Sequence, residues 1–265
     1  MKSIARRFAA GPATLITSPR EFSVMPTVMS ARPFRLLRRA LALVFALVCL
    51  AGEVRADEFS DAVEAFQAGD DTRAFQLFTP LAEAGNPLAQ HNLGVMYEQG
   101  LGVAKNEATA YEWYKRASDQ GNPQSTYNIG MMTIEGRGVA SDPAAGAQLI
   151  FHSAELGYPP AQHALGYIYL NGTGVDPNPT EAVVWFTVAS EGGMVDSQFN
   201  LGYMFENGVG VIADAPTAYR WYSIAALSGD HEAQAEAQRV GATLTPEQRA
   251  TEDQAAADWL AAHGR

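Results

Sequence analysis

Residues 89–103 read AQHNLGVMYEQGLGV, and the pattern returns as STYNIGMMTIEGRGV at 125–139, AQHALGYIYLNGTGV at 161–175 and SQFNLGYMFENGVGV at 197–211. Successive copies stand 36 residues apart without an insertion. Gly94, Gly130, Gly166 and Gly202 keep the register, as do Gly100, Gly136, Gly172 and Gly208. Gly102, Gly138, Gly174 and Gly210 follow, each just before Val103, Val139, Val175 or Val211. Further along, Trp113, Leu149, Trp185 and Trp221 share a column, and so do Gly121, Gly157, Gly193 and Gly229. A fixed period of this length marks an array in which each unit buries its apolar face on its neighbours, because one unit alone cannot. Four full copies occupy 86–121, 122–157, 158–193 and 194–229.

Inside a unit, Ala89, Leu93 and Tyr97 recur at every fourth residue and form the apolar stripe of a first helix. Glycine then stops it, since Gly100 and Gly102 supply the positive φ angles of a tight turn at little steric cost. The column Asn106, Asp142, Asn178 and Asp214 offers side-chain acceptors for the free amides that open a second helix. Pro143 and Pro179 fall in its first turn, where a missing amide proton loses no helical bond. The second helix is predicted to carry Ala110, Trp113, Tyr114 and Ala117 toward the first, and Gly121 ends the hairpin.

Both ends read as closures. Residues 57–85 hold a degenerate N-terminal copy with a short acidic helix over 57–67, and its Ala74, Leu77, Ala82 and Gly85 match Ala110, Trp113, Ser118 and Gly121. Residues 230–265 supply capping helices: 230–240 begin another hairpin, and Thr245-Pro246-Glu247-Gln248 is a cap signature opening a final helix through about His263. Ala255, Ala256 and Trp259 of that helix are placed to cover the last apolar face.

The unit A-x-x-x-L-G-x-x-Y-x-x-G-x-G-V, followed by a helix with Trp and an A-A or A-S pair before Gly, resembles the Sel-one-like repeat (SLR) family. The G-x-G-V turn separates it from the tetratricopeptide repeat. The resemblance implies an all-α fold, a right-handed superhelical solenoid of antiparallel helix hairpins. It further implies an adaptor or scaffold for proteins, in bacteria tied to signalling, envelope processes or host interaction. Some cysteine-rich relatives are linked to β-lactam binding and carry a disulfide in each repeat. This chain departs from them, with Cys49 as its only cysteine.

Ahead of the array, Arg32, Arg35, Arg38 and Arg39 precede the apolar run 40–50, and Val54-Arg55-Ala56 follows. A basic stretch, a short apolar core and small residues at a cleavage site read as a signal peptide within residues 1–56, cut before Asp57. The run falls short of the roughly 20 residues that cross a bilayer. Met29 stands where a normal signal would start, and residues 1–28 then form an upstream extension. Nine of the eighteen Lys and Arg but only two of the twenty-nine acids precede Asp57. The remainder therefore carries nine basic against twenty-seven acidic side chains, a formal charge of −18. Such a surface excludes nucleic acid as a natural partner, because binding it depends on neutralising phosphates. The expected product is a periplasmic or secreted monomer with no membrane span after cleavage.

On a helical wheel centred at Leu93, His91 and Val95 point away from the core with Asn92 at the flank. The matching positions are Tyr127, Asn128 and Met131, then His163, Ala164 and Tyr167, then Phe199, Asn200 and Tyr203. These residues are expected to line a concave groove that takes a protein or peptide, the alternative being packing against the adjoining unit. No catalytic, cofactor or metal set is expected. His91 and His163 stand two units apart, His231-Glu232 does not extend to H-E-x-x-H, and neither S-x-x-K nor G-x-S-x-G occurs. The function so predicted is an adaptor acting through contact. A hydrolase-like or β-lactam-binding activity and a host-directed secreted effector remain as alternatives.

Overall fold

Short-range interactions written into the repeat set most of the helix boundaries. The computed structural model describes Leu15 and residues 58–264, and the regular structure among them is helical. In chain order the helices are α1 (58–67), α2 (Asp71–Glu83), α3 (Pro87–Gln99), α4 (Glu107–Ser118), α5 (Pro123–Glu135) and α6 (Pro143–Glu155). They continue with α7 (Pro159–Asn171), α8 (Pro179–Glu191), α9 (Val195–Asn207), α10 (Ala215–Leu227), α11 (His231–Gly241) and α12 (Pro246–Ala262). Odd-numbered helices are the first of each hairpin and even-numbered ones the second. None is long and apolar enough to cross a membrane among the described residues. The expected signal segment and the expected start at Met29 lie outside the described residues.

The turn inside each hairpin is held at both ends. Gly100, Gly172 and Gly208 close α3, α7 and α9 in the left-handed conformation, their amides donating to Met96, Ile168 and Met204. Asn106, Asp142, Asn178 and Asp214 then accept from amides in the first turn of α4, α6, α8 and α10. The amide of each cap residue reaches back to the first helix: Asn106 to the Tyr97 carbonyl at 2.8 Å, Asp142 to Thr133 at 2.9 Å, Asn178 to Tyr169 at 2.7 Å and Asp214 to Phe205 at 2.8 Å. One side chain thus starts the second helix while its own backbone ties off the first. The final helix opens on the expected capping box, with Thr245 and Gln248 satisfying each other's backbone amides.

The second glycine of the turn has a separate task. A Cβ at Gly102 would overlap the carbonyl of Asp71, at Gly138 that of Glu107, at Gly174 that of Pro143 and at Gly210 that of Pro179. Each turn therefore rests, backbone on backbone, against the start of the second helix of the preceding hairpin.

Within a hairpin, the helices meet over the column Gly94, Gly130, Gly166 and Gly202. A Cβ at these positions would stand 2.5 Å from the Tyr114 ring, 2.8 Å from Ile150, 2.5 Å from the Phe186 ring and 2.6 Å from the Tyr222 ring. Those four side chains are fully or almost fully buried. The fully buried inward ring of the second helix is accordingly the Tyr114 column, while the Trp113 column packs against the same core from its edge and is buried only at Trp221. Trp113 lies half-buried at the edge of the core, with the Arg116 guanidinium 4.4 Å above its ring centre.

The chain gathers into two compact units. One holds residues 58–128 with Arg137–Val139, and the other holds Ile129–Gly136 with 140–264. In the first unit, Phe59, Phe78, Leu81, Leu93 and Met96 form an apolar cluster against which Leu15 and Leu101 pack. In the second, Tyr167, Phe186, Leu201, Met204, Trp221 and Ala256 form another, and Phe199, Tyr222 and Val240 a third. Trp259 of α12 sets its ring edge-on to Trp221 at 5.7 Å, and the final helix packs against that cluster.

Candidate functional site

The residues expected to line a groove are mostly inside. His91, Asn92, Val95, Met131, His163, Ala164, Tyr167, Phe199 and Asn200 are buried, and only Tyr127, Asn128 and Tyr203 are half-buried. Buried side chains cannot present themselves to a partner, so the groove expectation is corrected for these nine positions. The cause is the environment of the first helix. In α3 every residue from Leu88 to Met96 is buried, which leaves no solvent face opposite the core.

What these positions do is join units. The Nδ1 atom of His91 lies 2.8 Å from the Ser125 hydroxyl, and that of His163 lies 2.7 Å from the Ser197 hydroxyl. The pairing alternates along the sequence with a two-repeat rhythm, because the column His91, Tyr127, His163, Phe199 runs beside Ser125, Ala161, Ser197, Ala233. A histidine is matched to a serine one unit on, and an aromatic ring to an alanine. Gln90 and Gln162 donate to the carbonyls of Ala82 and Ala154. Tyr167 and Asn200 pair through hydroxyl and amide at 3.0 Å. An imidazole beside a serine is the arrangement that nucleophilic catalysis uses. Here Ser125 and Ser197 are fully buried, and the contact satisfies two polar groups that would otherwise be costly to enclose. Among the described residues no group of three or more His, Cys, Asp or Glu side chains is placed to hold a metal ion.

A second set of joints was not legible from any single repeat. Tyr114 donates to Glu98 at 2.7 Å, and Arg137, the middle residue of its G-x-G turn, also pairs with Glu98. Tyr222 donates to Glu206 at 3.0 Å, and Arg239 reaches both oxygens of that carboxylate at 2.6 and 2.8 Å. The last hairpin has no G-x-G turn, and α11 supplies the arginine instead. In the two middle repeats the same columns hold Ile134 with Ile150 and Leu170 with Phe186. The pair is therefore wholly polar or wholly apolar. A mixed pair would leave a phenol or a carboxylate enclosed without its partner.

Glu206→Leu alone is expected to cost about 1–3 kcal/mol by stranding the Tyr222 hydroxyl. Glu206→Leu with Tyr222→Phe, which copies Leu170 and Phe186, is expected to return within about 1 kcal/mol of the parent in urea denaturation. Burial, reinforced by the neighbouring carboxylates, pushes the Tyr114 and Tyr222 hydroxyls well above the ordinary tyrosine range. The unfolded chain releases these protons near pH 10 while the native chain holds them, so stability is complete below pH 10 and falls above it. The expected slope is about 1.4 kcal/mol per pH unit for each tyrosine, and the double substitution should remove the Tyr222 share.

Outer surfaces hold the remaining candidates. A cleft of about 540 Å³ lies between α10, α11 and α12, bordered by Tyr219, His231, Arg249 and Asp253. Its Asp253 carboxylate already accepts from Tyr219 at 2.7 Å. On the second helices, Phe151 of α6 and Val184 of α8 stand exposed. Neither was singled out from the sequence, although the same columns carry Lys115, Thr187 and Ser223, and Glu112, Gln148 and Arg220. A large apolar residue in an otherwise polar column was the available signal.

A sequence profile for the Sel1 repeat matches residues 63–86, 87–122, 123–158, 159–194 and 195–230. The chain is 35% identical to a Sel1 repeat protein from Oxalobacter formigenes over 64% of this chain and 50% of that one, with a TM-score of 0.60. It is 30% identical to c5321, a protective antigen of uropathogenic Escherichia coli displaying an SLR fold, over 83% of this chain and 49% of that one, with a TM-score of 0.70. The chain thus spans about half the length of these two solved structures. No curated protein sequence matches it.

Proposed function

This chain belongs to the Sel1 repeat family, whose fold generally serves as a scaffold for protein–protein interaction, and from that premise we propose that it is an exported adaptor holding a protein partner in envelope signalling or regulation. The observation that carries this reading is how the side chains are divided. The histidines, serines, glutamines and tyrosines best suited to chemistry are spent on joints between helices. Large apolar side chains meanwhile stand on outer faces, where contact with another protein is the natural use of them. The strongly acidic array argues against nucleic acid and for a partner with basic or apolar character.

Export rests on the basic stretch, apolar run and small residues that precede Asp57. The uropathogenic relative is a protective antigen, a role that fits a protein reaching the bacterial exterior.

The test has two parts. Mass spectrometry of the chain recovered from envelope and culture fractions is expected to find an amino terminus at Asp57, and a cytoplasmic chain retaining residues 29–56 would overturn export. Cross-linking in cells followed by purification is expected to yield one protein in fixed proportion to the chain. Turnover of a small substrate by the purified chain, with no such protein, would overturn the adaptor.

A further inference from the structure

We propose that Asn171, the last residue of α7, is a site of spontaneous deamidation, and that its repeat counterpart Asn207 is shielded from the same reaction. The column that ends each first helix holds Gln99, Glu135, Asn171 and Asn207, and each is followed by the glycine that turns the chain. Asn171-Gly172 and Asn207-Gly208 are the only Asn-Gly pairs in the sequence. Asparagine before glycine is the pair most open to ring closure, because no Cβ stands beside the attacking amide.

The reaction needs only water. The Gly172 amide nitrogen, having lost its proton to solvent base, attacks Cγ of Asn171. The N–Cγ bond forms, the Cγ–Nδ2 bond breaks, and the side-chain nitrogen takes a proton from solvent and leaves as ammonia. Water then opens the cyclic imide at either carbonyl, which leaves aspartate or isoaspartate at position 171.

In the folded chain both attacking amides are occupied. Gly172 donates to the Ile168 carbonyl at 2.9 Å, and Gly208 donates to that of Met204. Each closes its helix, so its release takes only the opening of a last turn, where helices fray. The side chains differ. Asn207 donates from Nδ2 to the Tyr203 carbonyl at 2.9 Å, a bond that must break before Cγ can swing toward Gly208. Asn171 is exposed and makes no such bond among the described residues. One hydrogen bond of this kind changes the population of the reactive state by a factor of about two to ten.

The two products differ in consequence. Aspartate repeats the carboxylate that Glu135 already carries in this column. Isoaspartate instead adds a methylene to the main chain of the turn that holds Gly174, whose backbone rests on the Pro143 carbonyl with no room for a Cβ. The lengthened turn gives up part of that seat.

The purified chain, folded or unfolded in urea, is held in mildly alkaline buffer at physiological temperature, and peptide mapping by mass spectrometry follows conversion at each asparagine. In the folded chain position 171 is expected to convert about two to ten times faster than position 207. In urea the two rates should converge. Equal rates in the folded chain, or faster conversion at position 207, overturn the proposal. Conversion confined to the unfolded sample overturns it as well. The aged chain should melt at a lower temperature than Asn171→Asp, which carries the charge without the added methylene. Equal melting of the two overturns the consequence for the turn.

Discussion

Phe186→Ala is expected to remove about 3–5 kcal/mol of stability, the ordinary range for emptying a fully buried aromatic site. Phe186 packs edge-on to Tyr167 at 5.2 Å and against His163 at 5.6 Å, and its ring covers the bare backbone of Gly166. The last contact gives the experiment a second arm. In the parent, Gly166→Ala is expected to destabilise by about 1–3 kcal/mol, because its new methyl would stand 2.5 Å from a ring that His163 and Tyr167 hold in place. With Phe186→Ala already present, the same substitution should stabilise by about 1 kcal/mol, since alanine is the better helix former and the space is open. Urea midpoints of the four chains measure this reversal of sign. If Gly166→Ala has the same effect in both backgrounds, the ring is not what demands glycine.

Gly174→Ala is expected to cost about 3–5 kcal/mol, against about 1–2 kcal/mol for Gly157→Ala. Both glycines sit at positive φ, +72° and +82°, so both substitutions carry the strain of a left-handed backbone. Only Gly174 abuts other backbone, the carbonyl of Pro143, whereas a Cβ at Gly157 would meet nothing within 4 Å. The difference between two substitutions of identical chemistry isolates the contact between turn and preceding helix. Equal losses in thermal or urea unfolding would show that the turn is held by its dihedral angles alone.

The repeat made most of the helix boundaries legible, because capping and glycine turns are local chemistry. Asn106, Asp142, Asn178 and Asp214 cap as their side chains allow, and Thr245 with Gln248 closes the box. Facing was harder. Trp113 and Tyr114 are adjacent and both apolar enough for the core, so the helical wheel alone does not choose between them. The glycine column of the first helix does choose, but only once Gly94 is known to lie under Tyr114.

The groove reading erred for a readable reason. It assumed that the first helix has a wet side, yet residues 87–97 contain no charged side chain, and neither do 123–134 or 159–171. A helix polar only through Gln, His, Asn, Ser and Thr is one that expects to be enclosed with its partners found inside. The coupled columns Glu98 with Tyr114, Ile134 with Ile150, Leu170 with Phe186 and Glu206 with Tyr222 were also visible in principle. They acquire meaning only when contact shows that the two columns touch. The exposed Phe151 and Val184 escaped notice because a helix stripe is read for what it buries.

The seat of each G-x-G turn on the hairpin before it gives the array a direction. A hairpin needs its predecessor's ledge and lends its own ledge to its successor, never the reverse. A chain emerging amino end first therefore finishes each footing before the piece that will stand on it arrives. Trimming from the carboxyl end leaves every earlier footing whole, while trimming from the amino end pulls away a support still in use.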